Sequence, residues 1–127
     1  MSIGDSATPR PPILFLLPSI PYSFCGAWII ADDGQTLGKI VSPFYIDSIA
    51  NEFGSYGSDF YLDSIWNDFG PYGSSFSNLS AFNDFTNTPP KIIDNGAILG
   101  YVTTNTLMYQ SVEPYELKRW LEDGNCP

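Results

Sequence analysis

The sequence has no histidine, and only 5 basic residues stand against 14 acidic ones. Without imidazole there is no Ser-His-Asp or Cys-His catalytic group and no site that needs an imidazole ligand. A net charge of −9 excludes a basic nucleic-acid surface. Long hydrophobic runs are also missing. Ile13–Leu17 is the longest apolar stretch near the N-terminus, far too short to span a bilayer. The 2 cysteines, Cys25 and Cys126, form no CxxC pair. They read either as a disulfide closing most of the chain or as two unrelated thiols. Charged residues are scarce at 15%, yet aromatics reach 16%, which separates the chain from disordered acidic tails.

Residues 1–25 carry prolines at 9, 11, 12, 18 and 21. They read as a Pro-rich arm or as a degenerate export signal. A single domain is expected over 26–122, followed by a short tail at 123–127.

The centre of the chain repeats. Residues 47–62 (DSIANEFGSYGSDFYL) and 63–78 (DSIWNDFGPYGSSFSN) match at ten of sixteen positions, and 79–94 continues the register more weakly. A fixed period is a strong organisational signal, and sixteen residues are too few for a helix pair. Ser48, Ser64 and Ser80 are placed as helix N-caps, each followed by one helical turn. Gly54 and Gly70 fall where a left-handed terminator would stand. Phe53, Phe69 and Phe85 then occupy equivalent positions, expected to point inward. Two similar segments flank the repeats, DDGQTLGKI at 32–40 and DNGAILGYV at 94–102, and both read as β-hairpins. Pro114, Leu117, Trp120, Leu121 and Gly124 mark a C-terminal amphipathic helix. The predicted class is therefore α+β: a small antiparallel sheet from two hairpins flanking a turn-rich, short-helix repeat region, closed by that helix.

The tandem S-x-x-N-x-aromatic-G-x-Y-G-S units at Ser48–Ser58 and Ser64–Ser74, with Ser80–Pro90 and Asn95–Tyr101, resemble those of uncharacterised small bacterial proteins, many of them exported. The resemblance covers roughly residues 28–121 and brings no activity or functional residue with it.

Three kinds of chemistry are open to these residues. Asp47, Glu52, Asp63, Asp68 and Asp84 recur with the period, and a column of oxygen ligands would suit Ca²⁺. The plainer reading leaves these acids in water while Asn51, Asn67 and Asn83 bond backbone. A glycosidase pair is disfavoured because no acid is singled out. Tyr56, Tyr61, Trp66 and Tyr72 are candidate contact residues for a sugar or protein, with stacking between units as the alternative. Trp66 stands where the first unit has Ala50, which places it at the surface or against a variable neighbour. Finally, no basic residue lies between Lys39 and Lys91, so an acidic face could occupy a basic groove in the manner of a DNA mimic. The expectation is a non-enzymatic binding or structural module with no catalytic residues and no required cofactor. Its partner would be a protein or an envelope component, without direct nucleic-acid binding or a membrane span. It would act outside the cytoplasm, or inside it if it is the inhibitor.

Overall fold

The computed structural model describes residues 19–127. The reading of residues 1–25 therefore lies outside the described residues up to position 18. Five strands form one sheet in the order β2-β1-β3-β4-β5: β1 (Trp28–Ile30), β2 (Thr36–Lys39), β3 (Lys91–Asp94), β4 (Ala97–Val102) and β5 (Ser111–Val112). Among the described residues, a single α-helix, α1 (Pro114–Glu122), follows. The class is α+β, but the sheet is mixed, because β5 runs parallel to β4 through Tyr101↔Ser111 and Val102↔Val112.

Sequence explains the strand turns. β3 and β4 are antiparallel, and between them Asn95 (φ 51°) and Gly96 (φ 81°) both adopt positive φ. That is the requirement of a two-residue type I′ turn, which Asn-Gly meets at least strain. β1 pairs antiparallel with both β2 and β3, so the two strand pairs share one sheet. Ile29, Leu37, Ile92 and Val102 are fully buried beneath it.

Helix α1 starts at Pro114, where a missing N–H is harmless. The Glu113 carboxylate accepts a hydrogen bond from the Glu116 N–H at 2.8 Å, capping the helix. Leu117 and Leu121 are fully buried in the same core as the sheet residues. That core crosses both expected domain bounds: Phe24 and Cys126 are in it, and Cys25 is bonded to Cys126.

Between β2 and β3 the chain forms a succession of turns. The described residues contain no helix here, so the expected helical turns are corrected. Ser48, Ser64 and Ser80 are not N-caps. Each Oγ accepts the N–H two residues on, from Ala50 (3.1 Å), Trp66 (3.1 Å) and Phe82 (2.9 Å). This local bond offers the backbone an alternative to a helix. The asparagines do more. Asn51, Asn67 and Asn83 accept from the N–H of Phe53, Phe69 and Phe85, and each Nδ2 donates to the carbonyl six residues back, on Tyr45, Tyr61 and Ser77. The sixteen-residue period is thus a period of hydrogen bonds.

The repeat interior is narrow and mixed. Ser48, Ser64 and Ser80 are fully buried, and so are Ile49, Ile65 and Ala81 beside them. Phe53, Phe69 and Phe85 point the other way and are 96%, 98% and 88% exposed, reversing the expected orientation. The reason is positional. In each turn the residue whose N–H meets the asparagine Oδ1 projects outward, whatever its hydropathy. Gly54 and Gly70 are not left-handed terminators, since neither has positive φ. Gly54 is needed because a Cβ there would stand 2.5 Å from the Ile46 carbonyl oxygen. The first unit docks on β2, where Lys39 N–H bonds Asp47 O and Ile49 N–H bonds Lys39 O. The third docks just past the end of β4, where Thr104 N–H bonds Ala81 O.

Candidate functional site

The same turn chemistry generates an outward face. Phe44, Phe60 and Phe76 follow Ser42, Ser58 and Ser74 by two residues, and each phenylalanine N–H bonds that serine Oγ. With the three that follow asparagine they make six equivalent phenylalanines, all between 88% and 98% exposed. Four carry an exposed acid immediately before them: Glu52-Phe53, Asp59-Phe60, Asp68-Phe69 and Asp84-Phe85. Each ring offers about 150–250 Å² for burial, so six present on the order of 1,000 Å². A standard-size interface buries roughly 800 Å² per partner.

Two of these pairs converge. Asp59-Phe60 and Asp68-Phe69, from successive repeat units, face one groove of about 530 Å³. Trp66, Tyr115 and Lys118 complete most of its lining, joining the repeats to α1. The rings of Trp66, Phe82 and Tyr115 lie 5.3–5.9 Å apart in tilted contact. Lys118 Nζ sits 5.3 Å from the Trp66 ring centroid and 3.2 Å from Glu52 Oε2.

The four aromatic contact candidates are dispersed. Trp66 is 8% exposed, and its Nε1–H donates to Ile49 O at 2.8 Å, so it is a packing residue against a neighbour, α1, and not a surface contact. Tyr72 is also buried, with its hydroxyl donating to Asp33 Oδ2 at 2.8 Å. Tyr56 lines a separate depression with Trp28, Ile30 and Thr36. Only Tyr61 is substantially exposed. The six phenylalanines were missed as surface residues. The sequence carries a signal for three of them, since Asn-x-Phe marks Phe53, Phe69 and Phe85, whereas Ser-x-Phe also occurs at the inward-packed Phe82.

The acids are spread as well. Glu52 pairs with Lys118, and Asp84 accepts from Thr104 Oγ1 at 2.6 Å. Among the described residues, no three His, Cys, Asp or Glu side chains are grouped so as to hold a metal ion. Asp63 lies near Tyr72 and, with Asp33, affects its ionisation. Burial, then the Asp33 hydrogen bond and the charges of Asp33 and Asp63, push the Tyr72 hydroxyl up to about 12 from 10.0. The neutral phenol is therefore favoured by folding. Its contribution is complete below pH 10 and is lost as pH rises toward about 12. Denaturation midpoints across that window should fall further for the wild type than for Tyr72→Phe. Parallel curves for the two proteins would show that folding does not raise the Tyr72 pKa.

Among the described residues, no helix is long and apolar enough to cross a membrane. The Cys25–Cys126 bond is formed, with Cα atoms 5.6 Å apart. No protein-family model, curated protein or solved structure matches this chain.

Proposed function

We propose that the chain is a non-enzymatic binding module that uses the outward face of its turn repeats, acting outside the cytoplasm. The observation that carries this reading is the set of six equivalent phenylalanines, 88–98% exposed. Scattered exposed apolar residues need no explanation, but a regular array of large rings does. Each asparagine turn sets its ring outward, at Phe53, Phe69 and Phe85, so exposure recurs with the repeat. The disulfide supports an oxidising compartment, where such bonds persist. A second reading, an acidic inhibitor of a basic protein groove, draws on the acids of the repeats, since Asp47, Glu52, Asp59, Asp63, Asp68 and Asp84 follow one another along the chain without an intervening base.

The test uses a tagged wild type and a variant with Phe44, Phe53, Phe60, Phe69, Phe76 and Phe85 all changed to Ser. Exposed substitutions cost within about 0.5 kcal/mol each, and a single Phe69→Ser variant serves if the combined one is less stable. Both are incubated with extracellular material from the source cells, and bound proteins and polysaccharides are quantified. The wild type should retain a component that the variants lose while the single variant melts like the wild type. Identical retention by all three proteins would remove the repeat face as a binding surface.

A further inference from the structure

We infer that the groove between the repeats and α1, with the acid–phenylalanine pairs beside it, receives a cationic and apolar polypeptide segment: arginine or lysine side chains against the aromatic faces, paired to Asp59 and Asp68, with neighbouring apolar side chains on Phe60 and Phe69. This identification of the partner rests on the binding-module reading above.

Three observations lead to it. The groove brings together two acids and two exposed rings from successive repeat units. Phe60 is 88% exposed and Phe69 98%, so neither ring is engaged by the fold itself. Second, the chain already handles cations this way. Lys118 lies over the Trp66 ring at 5.3 Å while pairing with Glu52 at 3.2 Å; Lys39, 5.0 Å over Trp28, shows the ring contact alone. An acid beside an aromatic face is thus a receptor that this fold uses internally, and Asp59-Phe60 and Asp68-Phe69 repeat its composition on the surface. Cation–π attraction adds to Coulomb attraction, and both strengthen when the contact excludes water.

Third, charge selects the partner. The six acids from Asp47 to Asp84 face no base within the repeats. Among the described residues Lys91 pairs with Asp32, Lys118 with Glu52 and Arg119 with Glu116. Nucleic acids and anionic lipid surfaces are repelled by a chain of net charge −9, and a second copy carries the same charge. A basic segment is attracted and steered, and its apolar side chains use the rings that charge alone would leave idle.

The probe is a short fluorescent peptide alternating arginine and leucine, compared with versions in which glutamate replaces arginine or serine replaces leucine. Anisotropy titrations against the full chain at low and moderate salt should show binding of the arginine–leucine peptide and little of the other two. Phe60→Ser with Phe69→Ser should weaken binding about tenfold or more, as should Asp59→Asn with Asp68→Asn. The acid-to-amide variant should also show a shallower salt dependence. Asp94→Asn with Asp123→Asn removes as much charge away from the groove lining and should leave affinity nearly unchanged. If that control weakens binding as much as Asp59→Asn with Asp68→Asn, attraction is to net charge and the groove assignment fails. Equal binding of the glutamate peptide, or unchanged affinity in the phenylalanine variant, overturns the proposal too. If the peptide does not bind but the wild type still retains a component that the Phe→Ser proteins lose, the module reading stands and the cationic partner falls. Failure of both experiments removes both.

Discussion

Gly73→Ala is expected to unfold the repeat region, with a loss of more than about 4 kcal/mol, whereas Phe69→Ala leaves stability within about 0.5 kcal/mol. A Cβ at Gly73 would stand 2.2 Å from the carbonyl oxygen of Asn67 and 2.5 Å from that of Ile65. Both obstacles are backbone, and the Asn67 backbone is held from two sides. Its N–H bonds Ser64 O, and its side chain donates to Tyr61 O while accepting from the Phe69 N–H. No rotamer change relieves such a clash. The equivalent glycine one unit earlier, Gly57, is as confined, with Asn51 O at 2.0 Å from a built Cβ. A domain of this size has about 5–15 kcal/mol to lose, so either change can leave too little for a folded population. Phe69 makes the contrast, since truncating a ring that is 98% exposed opens no cavity. Chemical denaturation followed by circular dichroism compares the three proteins. A Gly73→Ala midpoint near wild type would sink the tight turn packing. A loss of about 3–5 kcal/mol for Phe69→Ala would return the ring to the core.

How far this architecture could be read from residues depends on which rule was applied. Sheet-forming segments and the final helix obey the usual ones. Asn95-Gly96 is flanked by β-branched residues, and Leu117 and Leu121 sit at helical spacing behind a proline. The repeat departs in part from the rule that large apolar residues go inside. Its interior places Ser48, Ser64 and Ser80 among Ile49, Ile65, Trp66, Tyr72 and Ala81, and the serines are there because a chain made only of turns has no ladder to satisfy its backbone. Hydroxyl and amide side chains must do that, and they can reach only from within. The phenylalanines are left at the position two residues on, outside. Reading Asn-x-Phe as a turn unit gives the right orientation from sequence, whereas Ser-x-Phe occurs both outside, at Phe44, Phe60 and Phe76, and packed against the core, at Phe82. Reading Asn-x-Phe as an amphipathic helical turn gives the wrong orientation. The groove was less legible, because Asp59 and Asp68 come together with Tyr115 and Lys118 only once α1 folds back, a separation that no period reveals.

Reducing the Cys25–Cys126 bond should lower stability by about 4–5 kcal/mol. The cysteines are 101 residues apart, so the bond closes a loop that holds the sheet, every repeat unit and α1. In the chain-entropy account, longer loops restrict the unfolded chain more, and this loop comprises nearly all the described residues. Around the bond the two ends also make weak contacts of their own. The Tyr22 hydroxyl bonds Asn125 Oδ1 at 3.4 Å, and the Tyr22 and Trp120 rings lie 5.8 Å apart. These contacts keep the ends together without the covalent link, so reduction acts mainly on the unfolded state and the native near-ultraviolet spectrum should persist before denaturant is added. Urea titrations with and without reductant give the difference, with thiol content confirmed by mass. Cys25→Ala with Cys126→Ala should match the reduced wild type and ignore reductant. The repeat face should be preserved in that variant wherever it is still folded, since none of the turn hydrogen bonds passes through either cysteine. A midpoint that stays put once both thiols are shown to be free would mean that the packed ends alone constrain the chain, and that the bond adds no stability to this fold.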